Sequence, residues 1–215
     1  MLPINFASRP NGLKILCLGA HCDDIEIGCG GTLLRLTSEY TIQNLKWLVF
    51  ASTRERSVEA MLSAEHFVKR CKEKEIIIKN FRDGHLPYEA EQIKNLIENL
   101  KTFDPDIIFT HYRHDLHQDH RTICELTWNT FRNHLIWEYE IPKYDGDLGS
   151  PNCFVTIEAE VAKKKIETIM SCFKSQVGKQ WFDEETFFSL MRIRGVESAS
   201  PTKYAEGFYV RKTVM

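Results

Sequence analysis

The sequence lacks several features that would place it in a specialised class of protein. No apolar run in its 215 residues approaches the ~20 residues that a membrane-spanning helix needs. The formal net charge is only −2, so nothing electrostatic favours nucleic acid as the main partner. The first ten residues lack the basic start and long apolar centre of a secretory signal. No repeat, low-complexity segment or linker interrupts the chain, which predicts one domain over residues 1–215.

The cysteines lack the pattern of a disulfide framework. There are seven, an odd number, scattered through apparent core segments and without a CxxC pair. This usage predicts reduced thiols in a reducing compartment, and we therefore expect a cytoplasmic protein. The hydrophobic content of 43% and the charged content of 27% are typical of a globular protein in water.

Apolar runs of strand length alternate with helical patterns along the chain. The runs predict strands over 13–20, 45–51, 75–81, 106–110, 135–140, 153–157 and 204–211. The helical patterns predict helices over 30–40, 53–71, 89–103, 158–174 and 183–193; Val58, Met61 and Leu62 follow helical spacing in the second. The β-α-β-α-β-α-β order predicts an α/β fold, Rossmann-like, with a mainly parallel sheet and helices on both faces.

A polar cluster follows the first predicted strand, before a glycine-rich entry to a helix. It comprises His21, Cys22, Asp23, Asp24 and Glu26, and Gly28, Gly30 and Gly31 come next. An imidazole and adjacent carboxylates at the mouth of a buried sheet are costly to desolvate without a partner. A divalent metal is the simplest partner that satisfies all of them.

A second polar cluster, His111–Arg121, follows the fourth predicted strand and contains four of the eight histidines. In a parallel sheet both clusters emerge at the carboxyl edge, so we expect them to converge on one crevice. His117 and His120 are three residues apart and share a face if a helix begins there.

Several other residues have simpler interpretations. We interpret His66 and His134 as packing or surface residues and His85 as a loop residue. For His111 and His114 a structural role is favoured over substrate contact. We interpret Cys22 and Cys29 as small apolar side chains that fill space in the core, rather than as metal ligands. The glycines do not form Gly-x-Gly-x-x-Gly, and the acidic cluster would repel a pyrophosphate. We interpret Lys163–Lys165 as part of a solvated helix face.

Taken together, the two clusters resemble the LmbE-like, or PIG-L, family of zinc-dependent deacetylases that act on N-acetylglucosamine-type compounds. The family motif Ala-His-Pro-Asp-Asp-Glu is matched by Ala20–Asp24, with Cys22 for proline and Glu26 displaced by one residue. The second motif, His-x-Asp-His, is matched by His117–His120. The tail is also similar, with Ser175-Gln176, Arg194-Gly195 and Ala205–Phe208, so the resemblance covers nearly the whole chain.

The resemblance implies a role for each matched residue. It implies that His21, Asp24 and His120 bind zinc, and the same ligands are also compatible with other divalent metals. It implies Asp23 as general base and His117, oriented by Asp119, as the group that stabilises the oxyanion. Such a site would hydrolyse the acetyl amide of an N-acetylated amino sugar or its thiol-precursor, lipid-linked or nucleotide-linked conjugate.

Residues on the substrate side are less well defined by the sequence. Ser52–Arg56 replaces a glycine-rich family segment, and Arg54 there is a candidate sugar or anion contact. The polar segment 139–152 is expected to border the mouth of the site, with Tyr144 as a candidate acceptor contact. The sequence leaves open whether the protein forms a homo-oligomer. The alternatives to a deacetylase are a nucleotide-binding α/β transferase and a non-catalytic metal- or sugar-binding module.

Overall fold

The computed structural model describes residues 5–6, 9 and 11–214, and its centre is one seven-stranded sheet. The strands are β1 (Leu13–Gly19), β2 (Ile42–Ala51), β3 (Glu73–Phe81), β4 (Ile107–His111), β5 (Leu135–Tyr139), β6 (Cys153–Ile157) and β7 (Tyr204–Val210). The helices are α1 (Asp24–Glu39), α2 (Arg54–Phe67), α3 (Ala90–Asn99), α4 (Gln118–Thr130), α5 (Ala159–Cys172) and α6 (Glu184–Glu197). No helix in this part of the chain is long and apolar enough to cross a membrane.

The strand order is β3-β2-β1-β4-β5-β7-β6. Strands β1 to β5 are parallel, and β7 lies antiparallel between β5 and β6. The predicted Rossmann-like, mainly parallel α/β fold is confirmed. After β1 the chain builds outward through β2 and β3, and β4 then returns to the other side of β1. The crevice outside the carboxyl ends of β1 and β4 is therefore the switch point at which open α/β sheets bind ligands.

Both faces of the parallel part of the sheet are covered, because alternate residues of β1 to β5 enter different hydrophobic clusters. Ile15 and Cys17 of β1 lie in one cluster, and Leu16 and Leu18 lie in the other. This explains why β1 is a nearly continuous apolar run instead of an alternating pattern. Side chains cap the starts of α2 and α6: the Thr53 side chain accepts from Arg56 N–H, and Asp183 accepts from Thr186 N–H.

Helix α1 begins earlier than the sequence suggests. The predicted start at residue 30 is wrong, because the polar residues from Asp24 already form the first helical turn. The glycines that follow serve close packing. A Cβ on Gly28 would lie 2.2 Å from the Tyr139 ring, and one on Gly31 would lie 2.8 Å from Glu206 Oε1. Tertiary contacts thus outweigh the low helix propensity of glycine.

Two expectations about helix faces need correction. Val58 and Leu62 of α2 are 58% and 57% exposed, whereas Ala60 and Ala64 are buried and let the helix pack closely. Within Lys163–Lys165, only part of the segment forms a solvated face. The Lys165 side chain is 3% exposed and pairs with Glu206, since residues two apart on a helix point in different directions.

Candidate metal centre and catalytic site

The two polar clusters meet at the carboxyl ends of β1 and β4, which are neighbours in the sheet. Asp23 is the N-cap of α1 and Asp24 its first residue. His117 is the N-cap of α4, and His120 lies in the first turn of that helix. Each cluster therefore occupies the turn between a buried strand and the helix that follows it, as the convergence argument requires.

The three residues implied as metal ligands lie against one another. His21 Nδ1 is 3.1 Å from His120 Nε2. Asp24 Oδ2 is 3.4 Å from His21 Nδ1, and Asp24 Oδ1 is 3.6 Å from His120 Nε2. All three are buried. Two imidazole nitrogens and a carboxylate thus enclose one point below the protein surface.

The outer partners of the two rings show which nitrogens face that point as acceptors. His120 Nδ1 lies 2.8 Å from Asp115 Oδ2, and His21 Nε2 lies 3.2 Å from Asp119 Oδ2. Because a carboxylate can only accept, these two ring nitrogens carry the protons. The lone pairs of His21 Nδ1 and His120 Nε2 then face each other beside the Asp24 carboxylate. Such a donor set fits a divalent cation, and carboxylates behind ligating histidines are typical of metal sites.

The pKa shifts agree with a site that attracts positive charge. Burial lowers the pKa of His21, but the surrounding carboxylates, Asp24 and Asp119 among them, raise it well above its usual range. Burial and the neighbouring His111 lower the pKa of His120 to about 3, so its ring stays neutral. Burial raises the pKa of Asp24, yet the neighbouring histidines outweigh burial and hold it well below its usual range. His120 and Asp24 are therefore held in the neutral and ionised forms that bind metals, whereas His21 must release a proton when a metal binds.

Among the residues that the structure describes, three overlapping groups place possible ligand atoms within 4.8 Å of one another: His21, His117 and His120; Asp24, His111 and His120; His21, Asp83 and Asp119. Some of these atoms already have other partners. His111 Nε2 accepts from Ala20 N–H at 2.9 Å, and the Asp119 carboxylate accepts from the N–H groups of Gly84 and Leu86. Asp24 Oδ2 likewise accepts from His21 N–H, at 2.5 Å, so these bonds do not by themselves choose between the groups. His21, Asp24 and His120 are the set that the resemblance implies.

Asp23 lies beside the cluster but faces a different partner. Its Oδ1 accepts from Arg56 Nη2 at 2.9 Å, and Oδ2 makes no hydrogen bond within the described part of the chain. Burial raises the pKa of Asp23, and Arg56 opposes the rise without cancelling it. A carboxylate with a raised pKa and a free oxygen is suited to accept a proton near neutral pH.

His117 is half-buried, and its ring centroid lies 4.8 Å from that of His21. Its Nδ1 accepts from the Asp119 backbone N–H at 3.2 Å, so the neutral ring carries its proton on Nε2 and can donate from there. The contact between Asp119 and His117 is thus made by the Asp119 backbone N–H and not by its carboxylate. The Asp119 carboxylate instead contacts His21 Nε2 at 3.2 Å.

The substrate-side candidates are more exposed. Arg54 is exposed at the first residue of α2, and Tyr144 is 71% exposed. Arg56, two residues after Arg54, is the arginine that reaches Asp23. The sequence gives no signal for that choice, because both arginines lie in the first turn of one helix.

Two further acidic residues at the site were not singled out from the sequence. Asp115 supports His120, and its position inside the histidine-rich segment was a usable signal. Asp83 lies 3.1 Å from His21 Nε2. Its hydrogen bond with His21 lowers the pKa of Asp83 to about 2.

The displaced acid and the motif cysteine lie behind the cluster. Glu26 is fully buried, and burial raises its pKa well above the usual range. Neither of its carboxylate oxygens has a hydrogen-bond partner among the described residues. Cys22 Sγ donates to the Ala51 carbonyl, and burial raises its pKa to about 12. A thiol that keeps its proton is a poor metal ligand, which agrees with its interpretation as an apolar filler.

Solved structures with this fold carry different activities. N,N'-diacetylchitobiose deacetylase from Pyrococcus horikoshii is 23% identical, over 93% of this chain and 84% of that one, with a TM-score of 0.71. GalB, the 4-carboxy-2-hydroxymuconate hydratase from Pseudomonas putida KT2440, is 16% identical, over 94% and 98%, with a TM-score of 0.75. The zinc-inhibited form of teicoplanin deacetylase Orf2 is 15% identical, over 92% and 97%, with a TM-score of 0.67. At these identities the matches establish the fold.

The family assignment depends on the sequence itself. The family model described as "PIG-L: GlcNAc-PI de-N-acetylase" matches residues 16–131, a span that begins in β1 and ends just after α4. It thus contains both polar clusters and the strands that bring them together, and it covers more than half of the chain. The resemblance based on the two motifs is confirmed: this chain belongs to the PIG-L, or LmbE-like, family.

Proposed function

We propose that the protein is a zinc-dependent hydrolase that removes the acetyl group from an N-acetylated amino sugar or its conjugate. The observation that carries the proposal is that two adjacent carboxylates, Asp23 and Asp24, have different partners. Asp24 faces two imidazole nitrogens, whereas Asp23 faces Arg56 and has one oxygen without a hydrogen-bond partner among the described residues. Deacetylase activity in the chitobiose and teicoplanin enzymes named above supports this choice.

The ligands in this proposal are His21, Asp24 and His120. A divalent metal held there would supply Lewis-acid activation of water and of the amide carbonyl. Three protein ligands of the His and Asp type are typical of a catalytic zinc site with one open position. Asp115 and Asp119 hold the two rings so that the correct nitrogens face inward.

Asp23 and His117 perform the proton transfer and the charge stabilisation. Asp23 accepts a proton from the attacking water and delivers it to the amine nitrogen as the C–N bond breaks. The Nε2–H of His117 donates to the carbonyl oxygen, which becomes negative in the tetrahedral state. Water adds across the amide, and the products are acetate and a free amino sugar. Arg56 keeps Asp23 in place and limits the rise of its pKa.

Recognition of the sugar and its acceptor is assigned to the rim of the site. Arg54 and Tyr144 stay our proposed substrate contacts, and both are exposed enough to meet a ligand. Thiol-precursor, lipid-linked and nucleotide-linked acceptors are all compatible with this rim. The free-thiol state of the cysteines supports a cytoplasmic location. One sheet that runs from β1 to β7 supports a single deacetylase domain over residues 1–215.

The nucleotide-binding alternative has little support from the glycine-rich segment. Gly28 and Gly30 lie inside α1, where added Cβ atoms would meet Tyr139 and Phe67 at 2.2 and 2.7 Å. A loop that cradles phosphate must present free backbone N–H groups, and helix-packing glycines do not.

The test is acetate release from a panel of N-acetylated sugars, run with wild type and three variants. Asp24→Ala should lose most bound zinc. Asp23→Asn cannot accept a proton; it should keep zinc and fold but lose kcat by about a hundredfold or more. His117→Ala should also keep zinc while kcat falls.

The outcomes separate the candidate functions. If Asp23→Asn loses zinc as completely as Asp24→Ala, the two carboxylates have been exchanged. Full activity in Asp23→Asn refutes the mechanism. A wild type that binds zinc but releases no acetate from any panel member favours the non-catalytic module. The assay must detect acetate, because GalB shows that this fold also supports a hydratase.

A further inference from the structure

The segment that joins β5 to β6, here called the 140–152 loop, carries an almost buried lysine. The Lys143 side chain is only 10% exposed. A lysine is rarely buried to this extent unless its ammonium group is paired. The loop itself contains no helix or strand. Because the Lys143 side chain is nearly buried and paired, it attaches the loop to the rest of the protein.

Lys143 fastens the loop to the segment that follows β4. Its Nζ donates to Asp115 Oδ2 at 2.9 Å and to both carboxylate oxygens of Asp147, at 2.7 and 2.6 Å. Asp147, from the same loop, accepts from Leu116 N–H at 2.6 Å. The ammonium group and this carboxylate therefore connect the loop to two adjacent residues, Asp115 and Leu116.

Asp115 continues this connection to the candidate metal site. The oxygen that accepts from Lys143 also accepts from His120 Nδ1 at 2.8 Å. The other oxygen accepts from His117 N–H at 2.8 Å. Asp115 is only 2% exposed, so these bonds are poorly screened by water. One carboxylate thus holds a proposed metal ligand, a proposed catalytic residue and the loop.

We propose that Lys143 is a positioning residue that couples docking of the 140–152 loop to metal binding. This inference rests on the proposed function, because it takes His120 to be a metal ligand. With the loop docked, Lys143 fixes the Asp115 carboxylate, and Asp115 holds the His120 ring with Nε2 toward the metal. Linkage requires the reverse effect as well, so metal binding should stabilise the docked loop by the same factor.

The first experiment measures zinc affinity by competition with a chromogenic chelator. Lys143→Met should weaken zinc binding about tenfold, the lower end of the effect for outer partners of metal ligands. Lys143→Arg keeps the charge and should stay closer to wild type. Lys163→Met is the matched control, because Lys163 belongs to an exposed pair with Glu167 and should not change the affinity.

A double-mutant cycle tests whether the effect passes through Asp115. Asp115→Asn should itself weaken zinc binding. In that background Lys143→Met should cause little further loss, because the carboxylate through which it acts is gone. A full, additional tenfold loss in the Asp115→Asn background would show that Lys143 acts by another route and would overturn the proposal.

The second experiment measures detachment of the loop directly, and its first comparison needs only wild-type protein with and without zinc. Tyr144 is 71% exposed, and chymotrypsin can cut after it once the loop detaches. Zinc should slow cleavage between Tyr144 and Asp145, as followed by mass spectrometry. Lys143→Met should be cut faster and should lose most of the protection by zinc.

The results distinguish this inference from the proposed function. A wild type that binds no divalent metal overturns both. A wild type that binds zinc, with equal affinity in Lys143→Met, overturns only the coupling. If Lys143→Met does not fold, the wild-type cleavage assay decides, since equal cleavage with and without zinc contradicts the reciprocal effect.

Discussion

The most informative perturbation of the fold is Lys165→Met, which removes one member of a buried ion pair. Lys165 Nζ on α5 lies 2.7 Å from Glu206 Oε1 on β7, and each side chain is 3% exposed. Lys165 also donates to the Ile27 carbonyl of α1, and Glu206 accepts from Gly31 N–H and Thr32 N–H of the same helix. The pair therefore connects three elements, among them the helix that begins at Asp24.

The expected loss is large because the substitution leaves a buried charge. Removing one partner of a buried pair costs about 3–5 kcal/mol of the free energy of unfolding. For a chain of this size each kcal/mol lowers Tm by about 2–4 °C, so Lys165→Met should lower Tm by roughly 6–20 °C. The two helix N–H groups that bind Glu206 do not replace the lost cation, since they carry only partial charge.

Urea denaturation and thermal unfolding followed by circular dichroism measure this loss. The double variant Lys165→Met with Glu206→Gln removes both charges, and it should lose less stability than the sum of the two single variants. Lys163→Met, on the same helix but exposed, is the control and should stay within about 0.5 kcal/mol of wild type. The reasoning is refuted if Lys165→Met stays within about 1 kcal/mol of wild type, or if the two single effects simply add.

Two further predictions concern a helix cap and the proposed base. Asp183→Ala removes the side chain that accepts from Thr186 N–H at 2.8 Å, and it should cost about 1 kcal/mol in urea denaturation while zinc affinity stays unchanged; an unchanged midpoint would contradict the cap. Arg56→Met removes the cation that opposes the raised pKa of Asp23, so that pKa should rise further. Because the base must be deprotonated, the acid limb of the kcat/KM profile should move to higher pH, and a shift to lower pH would rule out Asp23 as the base.

Local patterns were sufficient for most of the secondary structure. The strand predicted at 153–157 is identical to β6, and the other predicted strands differ by three residues or fewer at either end. The start of α1 was missed because His21–Glu26 has the composition of a loop and glycines follow it. The outward Val58 and Leu62 were misleading because periodicity identifies an apolar face but not what covers it.

The sequence by itself determined the chemistry and the approximate place of the site. Two polar clusters after two buried strands, in a β-α-β order, must emerge at the same sheet edge, and their residue types favour a metal. The tertiary structure decided which side chains meet within that edge. Arg56 on Asp23, Asp115 on His120, Lys143 on Asp115 and Lys165 on Glu206 depend on the packing of separate elements and on rotamers. Burial then makes these pairings strong, because each group must find its partner where water is absent.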